Sequence, residues 1–206
     1  KNGIQMKDVF QVVQKFKKNK NTKPVILMGY YNMIYQYGEN RFLKKCKQVS
    51  VNGLIVVDLP WPDNKIFAKK CKKNSVTFVQ LLSPTTSQTR MKKIIKDSHD
   101  MLYLISMLST TGGKLKVSPK TILKNYNKVK KINKSKNLVI GFGITSKNIS
   151  SFKQADGCVV GSEICKKISK SIEKRQNVAK VVGNMVKNLR KKLSWIGFDG
   201  KKLELR

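Results

Sequence analysis

The sequence predicts an alternating α/β chain that closes either into a (β/α) barrel or into a doubly wound sheet. Three observations carry this reading. Short apolar runs such as Pro24-Val-Ile-Leu-Met-Gly29 are continuous rather than alternating, the pattern of parallel strands covered on both faces. Between them lie lysine-rich segments with apolar residues at three- and four-residue steps, as in crossover helices. No Pro/Gly/Ser linker interrupts the alternation, so residues 1–193 are expected to form one domain, with 194–206 as a tail turning at Asp199-Gly200.

Residues 2–20 read as a helix, with Ile4, Val9, Val12, Val13 and Phe16 marking its apolar side. Residues 24–29 follow as a buried strand. Tyr30-Tyr-Asn-Met-Ile-Tyr35, with Gly38, reads as an aromatic loop, either a lid over a site or an interface patch. A helix over 39–49 turns Phe42, Leu43 and Cys46 inward. Gly53-Leu-Ile-Val-Val-Asp-Leu-Pro60 is the next strand and closes on a carboxylate, which is costly unless hydrogen-bonded or facing a polar mouth. Residues 62–74 read as helix and 75–82 as strand. Residues 84–88 cap a helix reaching about Lys96. A strand over 100–106 leads towards a flexible polar loop at 110–116 with adjacent glycines. Pro119 opens a helix to Ile132. The Leu138 strand, a short helix over 146–154, the Cys158 strand, a short helix from Ser162 and a longer one over 172–193 complete the order.

Six strands emerge, near 25–29, 54–59, 76–82, 101–106, 137–141 and 157–161. An eight-stranded barrel takes about 250 residues. Two further strands are therefore expected before Lys1, and the sequence reads as N-terminally incomplete.

The 206 residues suffice for one sizeable core. The net charge of +33 raises nucleic-acid binding as a function. Against it, only five of the 44 basic residues are arginine, the residue suited to bidentate phosphate and guanine contacts. The lysines are also spread along the chain, as a general Lys/Asn/Ile bias would spread them. Cys46, Cys71, Cys158 and Cys165 show no CxxC spacing, and His99 is the lone histidine, so reduced, mostly structural thiols are expected and no metal site. No apolar run approaches the ~18 residues of a membrane span.

Two stretches end an apolar run in glycine at a polar turn: Asn137-Leu-Val-Ile-Gly-Phe-Gly-Ile144 and Asp156-Gly-Cys-Val-Val-Gly-Ser162. Glycine there lets backbone approach a ligand, and a helix start offers free N–H groups to an anion. A single such turn is equally well a tight strand–helix connection. Two in succession, the second ending Gly-Ser, point to a phosphate site.

Five motifs in order carry a resemblance. They are Pro24-Val-Ile-Leu-Met-Gly-Tyr-Tyr-Asn32, Gly53-Leu-Ile-Val-Val-Asp-Leu-Pro60, Tyr103-Leu-Ile-Ser106 before Thr111-Gly112, Gly141-Phe-Gly-Ile-Thr-Ser146 and Val160-Gly-Ser162. From residue 3 to about 193 the chain resembles the tryptophan synthase alpha chain family. The resemblance implies a (β/α)8 TIM barrel, with about six of the eight strands in this chain. It implies a carbon–carbon lyase of tryptophan biosynthesis that cleaves indole-3-glycerol phosphate by a retro-aldol reaction to indole and glyceraldehyde 3-phosphate. No cofactor or metal is implied for this chain. Pyridoxal phosphate belongs to a partner beta chain, in an α2β2 heterotetramer, and the setting is cytoplasmic.

Position by position, the resemblance places the substrate phosphate among Thr111, Gly112, Gly143, Gly161 and Ser162, with Met28 and Phe142 walling the indole. Tyr103 would stand catalytic beside the reacting glycerol carbons, its alternative being a core aromatic at a strand end. Tyr30, Asn32, Asp58 and Pro60 would face the beta chain or support a loop. The family's acid–base glutamate and its indole-binding aspartate would lie upstream of Lys1, so the segment as given is expected to be inactive. Glu163 is expected to favour a helix N-terminus. Met107, Leu108, Ser109 and Met33 depart from the family pattern. Two further readings remain open: another phosphosugar-binding barrel enzyme, and a non-catalytic partner that binds and activates the beta chain.

Overall fold

Apolar runs without alternation pair in parallel here, and a parallel pair requires a crossover between its strands. The computed structural model describes residues 3–18, 23–106 and 117–193. The chain divides into two compact units, Lys1–Leu81 with Ser87–Leu102, and Leu82–Thr86 with Tyr103–Arg206.

The first unit contains α1 (Met6–Lys18), β1 (Ile26–Gly29), α2 (Tyr31–Tyr37), α3 (Glu39–Gln48), β2 (Gly53–Val56), α4 (Lys65–Lys73), β3 (Thr77–Phe78) and α5 (Gln88–Asp97). Its strands form a parallel sheet of order β1-β2-β3, with Ile26 opposite Gly53 and Gly53 opposite Thr77. Phe10, Phe42, Leu43, Cys46, Leu54, Phe67, Cys71 and Phe78 fill its core. Phe10 meets Phe42 at 5.5 Å between ring centroids, and Phe67 meets Phe78 edge-on at 6.0 Å.

Several expectations change in this unit. On α1 the inward stripe is Met6, Phe10 and Val13, whereas Val12 and Phe16, and Ile4 before the helix, are exposed. At 100° per residue Val12 points away from Phe10, so the heavy side chain at position 10 decides which face turns inward. The aromatic loop expected at 30–35 is the helix α2. Ile34 anchors it in the core, and Gly38, at φ 87, breaks the chain before α3. Asp58 lies beyond the end of β2 and accepts the Tyr31 backbone N–H at 2.7 Å, capping α2 from a distant segment.

Tyr31 also donates its hydroxyl to Glu39 at 2.6 Å, and Lys70 forms an ion pair with the same carboxylate. Burial raises the Glu39 pKa, but the hydrogen bonds from Lys70 and Tyr31 outweigh it and hold the carboxyl below its ordinary value. The pair's contribution is therefore present above the unfolded carboxylate pKa and is lost as pH falls through the lower folded one. Glu39→Gln is expected to flatten the acid limb of a Tm-against-pH curve below about pH 4.5. An unchanged acid limb would contradict this.

The other sheet has the order β4-β5-β6-β7, from β4 (Gln80–Leu82), β5 (Met101–Ile105), β6 (Asn137–Gly141) and β7 (Gly157–Cys158). β6 and β7 are parallel, with Val139 opposite Gly157. The second unit also carries α6 (Pro119–Ile132), a 3-10 turn (Ile149–Phe152), α7 (Ser162–Glu173) and α8 (Val178–Leu193). Leu138, Ile140, Ile149 and Phe152 are buried there.

Among the described residues seven strands, three in one sheet and four in the other, thus replace the six expected. The single run read over 75–82 supplies two of them. Phe78 still pairs with Leu54 of β2, whereas Gln80 begins a strand of the other sheet. A continuous apolar run carries no sign of such a break. The helix read over 146–154 is only the 3-10 turn, because Asn148 returns its side-chain oxygen to the Thr145 N–H at 2.8 Å and competes with helical bonding. The long last helix starts at Val178 rather than near 172, since Arg175 takes a left-handed φ of 51 and interrupts it. Thr111, Gly112, the 107–109 stretch, the 110–116 loop and the 194–206 tail lie outside the described residues.

Lysines occupy the last turns of α1, α3, α4, α6, α7 and α8, where they face the free carbonyl ends. All four cysteines are free thiols, and burial raises Cys46 and Cys71 to about 12. Among the described residues no helix is long and apolar enough to cross a membrane, and no His/Cys/Asp/Glu group is arranged to hold a metal ion.

Candidate functional site

The end of β6 is shaped by one ring. Tyr103, on β5, is 2% exposed, and a Cβ built on Gly141 would stand 1.8 Å from its Oη and 2.3 Å from its Cζ. Position 141 therefore admits no side chain while the ring stays in place. The ring also meets Phe142 edge-on, 5.8 Å between centroids at 80°. Burial pushes the Tyr103 phenol up to about 12, so at neutral pH it is an uncharged donor rather than a base.

Beyond Gly141 the chain turns sharply. Phe142 and Gly143 both adopt left-handed backbone, at φ 68 and 69. For a bulky residue such as phenylalanine that conformation needs outside support. Ser106, fully buried at the end of β5, supplies it: its N–H donates to the Gly141 carbonyl at 2.9 Å, and its hydroxyl reaches the carbonyls of Gly141 and Phe142. Asn148 donates its side-chain amide to the Gly143 carbonyl at 2.9 Å.

The second turn opens α7. Gly161 occupies the N-cap position, and a Cβ there would meet nothing within 4 Å. Its φ of −111 is open to any residue. Neither crowding nor strain asks for glycine, so the space beside the first helical turn is free for something other than protein. The first N–H groups of α7 lack intrahelical acceptors and carry the positive end of the helix dipole.

The two turns are joined. Glu163 accepts the Ser146 N–H and the Ser146 hydroxyl, each at 2.6 Å. Lys192, from α8, donates to the Ser146 carbonyl at 2.6 Å.

The second unit thus contains Tyr103, Phe142, Gly143, Gly161 and Ser162 along the ends of β5, β6 and β7. In the first unit Met28 is 52% exposed at the end of β1 and Tyr30 is 62% exposed just after it. Asn32 and Pro60 are also exposed, while Asp58 holds the start of α2. Ser106, Asn148, Glu163 as a clasp and Lys192 went unforeseen. A buried serine ending an apolar strand was the one available signal, at Ser106. The bonds of Glu163 and Lys192 span 17 and 46 residues and leave none.

A family model described as "Tryptophan synthase alpha chain" matches residues 1–194. The chain is similar to the tryptophan synthase alpha chain of Pelagibacter ubique, 69% identical over 194 residues that make up 94% of this chain and 73% of the relative. It is similar to that of Cyanidium caldarium at 36% identity, covering 94% of this chain and 72% of the relative. Among solved structures, tryptophan synthase subunit alpha from Legionella pneumophila superposes with a TM-score of 0.82 at 29% identity, covering 93% of this chain and 70% of that one. A chain in a structure titled for mutual activation of the tryptophan synthase a2b2 complex from Pyrococcus furiosus gives 0.77 at 29%, covering 93% and 75%.

These matches correct two expectations. The fold is a (β/α)-barrel fold with seven strands described, not six of eight. The likeness read from residue 3 to about 193 is a family match over residues 1–194, and it spans 73% of the Pelagibacter ubique relative. Carried by residues 1–194 and by 69% identity to one relative, the chain belongs to the tryptophan synthase alpha chain family.

Proposed function

We infer that the paired turns of the second unit take the phosphate of indole-3-glycerol phosphate. The chain's reaction is that of its family, retro-aldol cleavage of this ester to indole and glyceraldehyde 3-phosphate, which makes it a lyase of tryptophan biosynthesis. One observation carries the phosphate assignment: Gly161 faces open space at the first turn of α7, and Glu163 ties that turn to the left-handed one at Phe142-Gly143. Free helix N–H groups and the Ser162 hydroxyl suit a phosphate dianion. Gly143 supplies backbone close to the same group, and Thr111 and Gly112 complete the assignment.

With the phosphate so placed, Phe142 lines the indole side. Tyr103 is read as a neutral hydrogen-bond donor to the glycerol oxygens, since its raised pKa keeps the proton on. Five described carboxylates are given no acid–base role. Glu39, Asp58, Asp97, Asp156 and Glu163 each hold a backbone N–H, a ring N–H, a hydroxyl or a lysine.

The exposed side chains of Met28, Tyr30, Met33 and Tyr35 are read as the face towards a beta chain, in the α2β2 arrangement named for the Pyrococcus furiosus complex. The chain itself needs no cofactor in this reading, and pyridoxal phosphate belongs to the beta chain. The four free thiols suit a cytoplasmic setting.

Binding of indole-propanol phosphate, followed by calorimetry with inorganic phosphate as competitor, tests the assignment. Indole release from indole-3-glycerol phosphate, with and without a beta chain, follows the reaction. Ser162→Ala is expected to weaken the analogue about tenfold, as loss of one hydrogen bond to a charged group does, with Tm unchanged. Analogue binding that ignores both inorganic phosphate and Ser162→Ala would sink the site.

A further inference from the structure

We propose that Glu163 is a positioning residue for phosphate capture, holding the turn after β6 in register with the start of α7. The inference rests on the phosphate assignment above. A carboxylate in the first turn of the helix that takes the phosphate is at first sight unfavourable, because like charges repel. Both of its oxygens, however, are directed to one residue of the other turn: Oε2 accepts the Ser146 N–H and Oε1 the Ser146 hydroxyl, at 2.6 Å each. Each carboxylate oxygen thus already accepts from a protein donor.

Ser146 is itself fixed from a third direction, since Lys192 donates to its carbonyl at 2.6 Å. The lysine adds a positive charge at the carbonyl of the residue that Glu163 grips. Between the clasp at Ser146 and the Gly143 backbone proposed to meet the phosphate stand only Ile144 and Thr145. That segment is closed by Asn148, which donates to the Gly143 carbonyl at 2.9 Å and accepts the Thr145 N–H at 2.8 Å. Rigid at both ends, the turn can shift relative to α7 only if the clasp opens. Glu163 therefore acts on the phosphate through Ser146 and the Gly143 backbone, without touching the ligand.

Charge and positioning make opposite predictions, which allows a clean separation. Glu163→Ala removes the clasp and the charge together. Glu163→Gln removes the charge but keeps an oxygen for the Ser146 N–H and a donor for the Ser146 hydroxyl. If positioning governs, the Kd of indole-propanol phosphate rises about tenfold in Glu163→Ala and stays within about threefold of the unchanged chain in Glu163→Gln. Ser146→Ala, which loses one of the two bonds, falls between them. The Kd of indole-propanol, which lacks the phosphate, is the control and should not move.

Tightening in both Glu163 variants would show that the carboxylate only repels the ligand, and would overturn the proposal. An unchanged Kd in Glu163→Ala, with the unaltered chain binding normally, would overturn the clasp alone. Failure of the unaltered chain to prefer the phosphorylated probe over indole-propanol would overturn the phosphate assignment first, and this inference with it.

Discussion

Gly161→Asp is expected to weaken indole-propanol phosphate binding by more than about 100-fold, while Tm holds or rises slightly. The two effects separate because position 161 has different meanings for the fold and for the ligand. For the fold it is an N-cap in ordinary backbone, with no atom within 4 Å of a built Cβ. Aspartate is among the preferred N-cap residues, and its charge favours the helix dipole. For an incoming phosphate the same carboxylate occupies the free space and repels a dianion at close range. Gly161→Ala should fall between the two, obstructing without charge. Retained affinity in the aspartate variant, read by calorimetry, would show that the phosphate does not approach α7.

Gly141→Ala is expected to cost about 3 kcal/mol of stability, the upper end for overpacking a close-packed site. In a chain of this size that lowers Tm by roughly 6–12 °C. The added methyl would overlap the outer edge of the Tyr103 ring, which is 2% exposed and has little room to swing aside. Moving the ring also disturbs its edge contact with Phe142, so analogue binding should fall together with stability. Tyr103→Val in the same background clears the space. The double variant should be more stable than the sum of the two single losses predicts, a coupling that a cycle of Tm or denaturant measurements reads directly. Additive losses would mean that ring and glycine do not share the space.

The element order and much of the candidate site were legible because their signals are local. Pro119 after Ser118 fixes the start of α6 at the expected residue, and Phe42, Leu43 and Cys46 turn inward as their spacing implies. The glycine turns at Gly143 and Gly161 were visible as apolar runs ending in glycine. Other features depended on residues far away in sequence. No pattern within 30–38 distinguishes an aromatic loop from α2, whose start is capped by Asp58 from 27 residues on. The continuous run at 75–82 could not show that its two halves serve different sheets. Gly141, in the same run as Gly143, is required by Tyr103, whereas Gly161, expected near phosphate, faces open space.

The lysines at the helix ends bear on how a charged substrate arrives. With +33 on 206 residues, a phosphate ester is attracted well before it meets the turns proposed to hold it. Under the proposed phosphate site, capture speed and residence time are governed by different parts of the chain: diffuse side-chain charge sets the first, and fixed backbone at α7 and β6 the second. Raising ionic strength from 0.01 to 0.5 M should slow association markedly and change dissociation little. The lysine bias that reads in the sequence as mere composition becomes, in this protein, a long-range attraction for its own substrate.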